Sequence, residues 1–297
     1  MNRSILLVLC ILASVCHSKP LQVVVSFSIL EDLVRQVGQD KVSIHSIVGR
    51  NGDAHVYTPS PLDVKMVRQS NVVFINGLGF EGWIERLIQA SGFKGIIVVA
   101  SKNIHPRLVF EGRLVEDPHA WHSIPNAVVY IHSIRDALVQ ADPSNQSFYE
   151  KNAHAYIQRL MQLDNFIRNS LAVLPPDQRK IITAHDAFGY FGNTYGVQFL
   201  SPVGTNTESE PCAKEMVTLI EAIKKYKVKT LFVENITSPR LIEQLARETG
   251  AKIGEPVYSD GLSLEKGPAP TYERMIEHNV TLFLQAMREM NPNALVC

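Results

Sequence analysis

The sequence predicts an α/β protein of two parallel-sheet lobes joined by one long rigid helix. Two observations carry that prediction. Apolar, β-branched runs alternate with helix-period segments in both halves of the chain, the pattern of parallel strands linked by helical crossovers. Between the halves, one unbroken helical period runs over 144–174.

Taking the elements in order, Leu21–Phe27 reads as a strand, and 29–37 as a helix with Leu30, Leu33, Val34 and Val37 on one face. A strand at Val42–Val48, a loop and a helix near Pro61–Gln69 follow. A strand at 71–76, a helix at 80–90 and a strand at 95–100 complete four strands with their crossovers. The second half repeats the plan: strands at 180–184, 197–202, 230–233 and 252–257, with helices at 188–195, Ala213–Tyr226 and 239–249. No residue-level repeat accompanies this likeness. In the central helix Phe148, Tyr156, Leu160, Leu163, Ile167, Leu171 and Leu174 recur every three or four residues. Asp142 or Ser144 can cap its start, and Pro175-Pro176 stops it. At about 1.5 Å per residue it spans roughly 45 Å, a stiff connection that predicts limited hinge motion.

The 297 residues are ample for two lobes. Charged residues make up 20% and balance to zero, so no basic stripe or acidic tail points to a nucleic-acid partner. The N-terminus, MNRSILLVLCILASVCHS, has Arg3 as a positive n-region, an apolar stretch, and small residues at Cys16 and Ser18. It reads as a cleaved signal peptide over 1–18 with a mature start near Lys19. The apolar run is short for a membrane span, and no later segment is long and apolar enough for one. Stable membrane insertion is therefore not expected. Cys10 and Cys16 follow Leu9 and Val15, poor neighbours for a lipid-anchoring cysteine, so release into the periplasm is expected rather than tethering. Cys212 and Cys297 then remain, and an exported compartment permits one bridge between them. The expected divisions are 1–18, a first lobe at 19–141, the linking helix at 142–175 and a second lobe at 176–297.

Four segments place ligand-type residues where strands should end. They are Gly52-Asp53-Ala54-His55-Val56-Tyr57-Thr58-Pro59, Glu116-Asp117-Pro118-His119-Ala120-Trp121, Thr183-Ala184-His185-Asp186-Ala187-Phe188-Gly189-Tyr190-Phe191 and Tyr258-Ser259-Asp260-Gly261-Leu262. Ligands of open α/β sheets bind outside the carboxyl ends of strands. Two segments fall in each half, as a metal site in the interlobe cleft requires. Imidazoles with one carboxylate suit Zn²⁺, Mn²⁺, Fe²⁺ or Co²⁺, and no CxxC pair offers a thiolate site.

In these segments the chain resembles the metal-binding solute-binding proteins of ABC importers for zinc and manganese, the cluster that includes the streptococcal adhesin-type lipoproteins. The resemblance runs from Leu21 to the C-terminus. It rests on His55-Val-Tyr-Thr-Pro-Ser-Pro, Asp117-Pro-His-Ala-Trp, His185-Asp-Ala-Phe-Gly-Tyr-Phe and Tyr258-Ser-Asp-Gly-Leu. The resemblance implies His55, His119, His185 and Asp260 as ligands of one Mn²⁺ or Zn²⁺ ion. It gives Glu210-Pro211 and Glu234 supporting roles, and it implies an ABC importer permease and its ATPase as partners of a monomer. Ser101 to Glu116 is shorter than the His-rich loop of many zinc-specific members and holds only His105, while Ala54 stands where some carry an acidic residue. His185 replaces the Glu of many manganese-specific members. The metal is thus left open between the two.

His122 is expected as a surface residue at a helix start, Asp186 as a neighbour that orients a ligand or loop, and Trp121, Phe188, Tyr190 and Phe191 as cleft packing. A zinc-dependent hydrolase is disfavoured because HExxH is absent and four protein donors leave no place for water, and a serine-centred hydrolase because no GxSxG occurs. An adhesin with incidental metal binding is disfavoured by the poor lipid-anchor context. Three histidines with free pKa near about 6.5 predict metal affinity that falls below roughly pH 6.

Overall fold

The computed structural model describes residues 19–208 and 211–290. The signal segment at 1–18, Glu210 and Cys297 lie outside the described residues, and with them the Cys212–Cys297 bridge; Cys212 itself is exposed.

The first sheet is built from β1 (Leu21–Phe27), β2 (Val42–Val48), β3 (Val72–Ile75) and β4 (Ile96–Val99), all parallel, in the order β2-β1-β3-β4. Val23 of β1 pairs with Ile44 on one side and Val72 on the other. Covered on both faces, β1 buries Val23, Val24 and Val25 in succession, which is why it reads as a continuous apolar run. Its crossovers are α1 (Ser28–Gly38), α2 (Pro61–Gln69) and α3 (Ile84–Ser91). A hairpin of β5 (Leu108–Phe110) and β6 (Leu114–Glu116) follows, then α4 (Ile124–Ala141).

The connecting helix α5 is Gln146–Ala172, 27 residues and about 40 Å long, slightly inside the expected 144–174. A 3₁₀ turn at Pro143–Asn145 precedes it. Asp142 ties this start together, accepting from Ser144 Oγ (2.6 Å), Asn145 Nδ2 (2.6 Å) and Tyr149 Oη (2.8 Å). The buried stripe begins at Tyr149, with Phe148 only partly buried, and continues through Ala153, Tyr156, Leu160, Leu163, Ile167 and Leu171. Each buried leucine or isoleucine there contributes about 1.5–3 kcal/mol.

The second sheet comprises β7 (Lys180–Ile182), β8 (Gln198–Leu200), β9 (Thr230–Leu231) and β10 (Lys252–Ile253), again parallel, in the order β10-β9-β7-β8. Counted from its own first strand, this is the order of the first sheet, so the two lobes share a winding plan. Helices α6 (Gly189–Tyr195), α7 (Ala213–Tyr226) and α8 (Arg240–Thr249) connect the strands, and α9 (Tyr272–Met290) ends the described chain. Bridges His185–Val203 and Glu234–Val257 continue the sheet beyond its short strands and carry both side chains to its carboxyl end.

Helices α4 and α9 close the core. Tyr130, Ile131 and Ile134 of α4 and Met275, Val280 and Phe283 of α9 join the first sheet and α5 in one apolar cluster. A smaller cluster of Ile182, Ala184, Met216, Leu219, Ile223, Leu231, Ile242 and Leu245 fills the far side of the second sheet. Among the described residues no helix is long and apolar enough to cross a membrane.

Candidate metal centre

His55 lies in the loop after β2 and is held on both sides. Its N–H donates to Asp53 Oδ1 (2.9 Å), and the preceding carbonyl of Ala54 accepts from Trp83 Nε1 (2.8 Å). Downstream, Tyr57 Oη donates to Asp63 (2.9 Å), the carboxylate that caps α2 together with Ser60. Phe80 meets the His55 ring edge-on at 4.7 Å between centroids. Phe80 reaches that place through a turn in which Gly77, Leu78 and Gly79 all have positive φ. At Gly77 a Cβ would lie 2.5 Å from Val99 Cγ1, so the turn admits only glycine there.

His119 follows β6 and is fully buried. Asp117 Oδ1 accepts both its N–H (3.0 Å) and its Nδ1–H (2.7 Å), leaving the Nε2 lone pair to face the centre. Arg107 Nη1 neutralises the other oxygen of Asp117 at 2.7 Å. The carbonyl of Pro118 accepts from Asn76 Nδ2 (2.9 Å), and Asn76 is itself fixed by Tyr130 Oη (2.5 Å) and buried Glu81 (2.6 Å). His185 is oriented in the same way from the second sheet. Its N–H donates to Glu234 Oε1 (2.9 Å), and its Nδ1 contacts the other Glu234 oxygen.

The structure brings His55, His119, His185 and Asp260 together, with one donor atom from each within 4.8 Å of all the others. Asp260 Oδ2 lies 3.2 Å from His55 Nε2 and 3.3 Å from His185 Nε2, and Oδ1 lies 3.5 Å from His119 Nε2. His119 Nε2 is 3.4 Å from that of His55 and 3.3 Å from that of His185. Asp260 is fully buried, and neither of its oxygens makes a hydrogen bond of good geometry. A buried carboxylate without such donors costs several kcal/mol unless a cation answers it. Three neutral imidazole nitrogens and one carboxylate are the donors of a tetrahedral Zn²⁺ or a comparable Mn²⁺ shell.

The metal-free charges follow. Burial opposes a proton on His119, but Asp260 and Asp117 outweigh it and raise the group to about 9. Burial likewise opposes charge on His185, which Glu234 and Asp260 hold well above the ordinary range. Burial would raise Asp260, but charged His119 and His185 hold it well below the usual carboxylate range.

His122 departs from expectation. It is buried, not a surface residue, and its ring packs on Phe188 at 4.4 Å with neither nitrogen hydrogen-bonded. Burial and the charge of His119 push it down to about 3, so it is a neutral core aromatic. Asp186 pairs with Arg107 at 3.3 Å, and the Arg107 guanidinium lies where a Cβ on Gly189 would sit, 2.1 Å from Nη1. Trp121 packs on Phe27 and Phe80. Asn76 and Arg107 are supports absent from the sequence expectations; their signal is purely spatial. Of the remaining histidines, His132, His154 and His278 sit on α4, α5 and α9, and His45 on β2.

A buried cage made from the loops of two α/β lobes, with two of its three imidazoles oriented by carboxylates behind them, defines the class of two-lobed metal-binding solute-binding proteins. Within it, the chain belongs to the family described as the zinc-uptake complex component A, periplasmic, whose model matches residues 23–286. The iron-binding protein YfeA of Yersinia pestis is 33% identical over 268 residues, covering 89% of this chain and 85% of that one. The manganese-binding lipoprotein MntA of Halalkalibacterium halodurans is 32% identical over 269 residues, covering 91% and 89%. Among solved structures, the periplasmic zinc-binding protein TroA of Treponema pallidum superposes with a TM-score of 0.85 at 27% identity, covering 91% of this chain and 99% of its own.

Proposed function

We propose that this chain is an extracytoplasmic solute-binding protein that captures one Mn²⁺ or Zn²⁺ ion through His55, His119, His185 and Asp260 and delivers it to the permease of an ABC importer. The observation that carries the reading is Asp260, a fully buried carboxylate whose oxygens lie 3.2–3.5 Å from the Nε2 atoms of His55, His119 and His185. Family membership supports the transport role, since relatives are named as metal-binding proteins of importers, including the manganese ABC transporter substrate-binding lipoprotein PsaA of Streptococcus pneumoniae.

The ion is cargo. Four protein donors fill a tetrahedral shell, so the cage supports binding rather than hydrolysis by a metal-bound water. We assign the first lobe to 19–141, the connecting helix to 142–175 and the second lobe to 176–297, and read the protein as a monomer exported through a cleaved signal segment at 1–18. Several relatives are lipoproteins, so whether the mature protein is released or anchored turns on the chemistry at Cys16.

The test is calorimetric titration of the metal-stripped protein with Mn²⁺ and with Zn²⁺, beside a His119→Ala variant. One-site binding lost in the variant is expected, and the two affinities rank the metals. A variant that binds as the parent does, or a parent that binds neither ion, sinks the reading.

A further inference from the structure

The three imidazoles of the cage are not held alike. His119 Nδ1 has Asp117 Oδ1 at 2.7 Å, and His185 Nδ1 contacts Glu234, so each of those rings has a carboxylate behind it. His55 has none. Its bond to Asp53 is made by the main-chain N–H (2.9 Å), and among the described residues nothing pairs with its Nδ1. The outer torsion of a histidine side chain is broad, so without that bond packing alone must choose the direction of the ring.

Phe80 supplies the packing. Its ring lies 4.7 Å from the His55 ring and 6.1 Å from that of His119 between centroids, so one buried side chain wedges both first-lobe imidazoles. Phe27 and Trp121 back it at 4.9 Å each and stand 5.0 Å from one another, which leaves Phe80 no room to retreat.

The turn that carries Phe80 is bent against local preference. Leu78 sits at φ 55° between Gly77 at 84° and Gly79 at 77°, a left-handed conformation that leucine rarely adopts. Buried Glu81 enforces it. One of its oxygens accepts from Ser26 Oγ (2.5 Å) and Asn76 N (2.6 Å), and the other accepts from Gly77 N (3.2 Å). Phe80 N closes the turn on Gly77 O (3.1 Å). Backbone strain of this kind persists where the surroundings over-determine it, and it gathers at ligand clamps.

We propose that Phe80 is the positioning residue of His55, and that through it the 76–81 turn sets how far the centre prefers Zn²⁺ to Mn²⁺. This rests on the metal-binding reading above. Imidazole nitrogen holds Zn²⁺ more tightly than Mn²⁺, whereas a carboxylate suits Mn²⁺ well. A His55 ring that loses its direction therefore takes more affinity from zinc than from manganese. Discrimination then lies in an apolar contact that offers the ion no ligand atom.

Two substitutions in the full chain test this, with Zn²⁺ and Mn²⁺ dissociation constants measured by chelator competition and the metal-free protein unfolded in urea. Phe80→Leu keeps an apolar side chain of similar bulk and removes the ring edge. Gly79→Ala touches no cage atom: a Cβ there meets nothing within 4 Å, but the φ of 77° resists it, so the turn must shift. Phe80→Leu is expected to raise the Zn²⁺ Kd about tenfold and the Mn²⁺ Kd less than about threefold. Gly79→Ala is expected to narrow the Mn²⁺-to-Zn²⁺ ratio of Kd values in the same direction and by less. A ratio within about twofold of the parent in both variants overturns the proposal. So do two constants that rise together as the urea midpoint falls, since that is what a merely structural role produces. Gly79→Ala decides alone if Phe80→Leu does not fold. A parent that binds neither ion removes the metal reading instead, and this proposal with it.

Discussion

Asp117 Oδ1 receives both the main-chain N–H and the ring Nδ1–H of His119, two residues along, at 3.0 and 2.7 Å. One carboxylate thus fixes the backbone, the tautomer and the direction of a donor that is otherwise wholly enclosed. Asp117→Ala should therefore weaken Mn²⁺ and Zn²⁺ binding by about 10–100-fold without touching a ligand atom. Calorimetric titration decides it, and a change under threefold would mean that packing alone orients the ring.

Protons compete for the same lone pairs. In the metal-free protein His119 is held up to about 9 and His185 above its ordinary value, so at neutral pH both carry protons that metal must displace. The sign follows: affinity rises with pH until about 9, by as much as tenfold per pH unit for each proton released. This places the dependence higher than the free-imidazole expectation of a fall below roughly pH 6, because Asp260, Asp117 and Glu234 favour the charged rings. Titration at pH 7.5 in buffers of different ionisation enthalpy should show at least one proton released per ion. Affinity that changes only below pH 6.5 would contradict the shift.

Arg107 bridges two carboxylates of unequal exposure. Asp117 is fully enclosed, whereas Asp186 keeps 22% of its side chain in solvent. Arg107→Met takes the guanidinium from Asp117 Oδ2, leaving His119 on Oδ1 as its charged neighbour, and should cost about 1.5–3 kcal/mol in urea denaturation of the metal-free protein. Asp186→Asn should cost well under half of that, since water can take over the lost contact. Equal losses would mean that the Asp186 pair contributes more than its exposure suggests.

His122→Phe tests the neutral, unbonded ring seen in the core. Replacing two unpartnered buried nitrogens by carbon while keeping a ring beside Phe188 should leave metal affinity within about twofold and stability unchanged or higher. Loss of binding in this variant would make His122 a participant in the centre.

Much of the fold could be read without coordinates. β1, β2 and α2 fall on the residues expected, because the period-2 and period-3.6 patterns are local and the Ser60–Asp63 cap lies within four residues. The second-sheet strands are shorter than expected, since 183–185 and 232–234 leave regular pairing to present His185 and Glu234. Of helix α4 the expectations name only a start near His122, although Ile124, Ala127, Ile131, Ile134 and Leu138 follow a helical period; what the pattern lacks is any sign of the partner against which it packs.

The sequence alone determined the alternation of strands and helices, the connecting helix and the donor types at His55, His119, His185 and Asp260, for these depend on neighbours a few residues apart. Tertiary structure decided the direction of each Nε2, the enclosure of His122 and the attachment of the Asp260 loop to the first lobe. Those depend on partners such as Ser28 and Leu262, 234 positions apart in sequence and 3.0 Å apart in space. Hydrogen bonds of that range leave no periodic trace in a chain; only the packed arrangement of both lobes brings their donors and acceptors into reach.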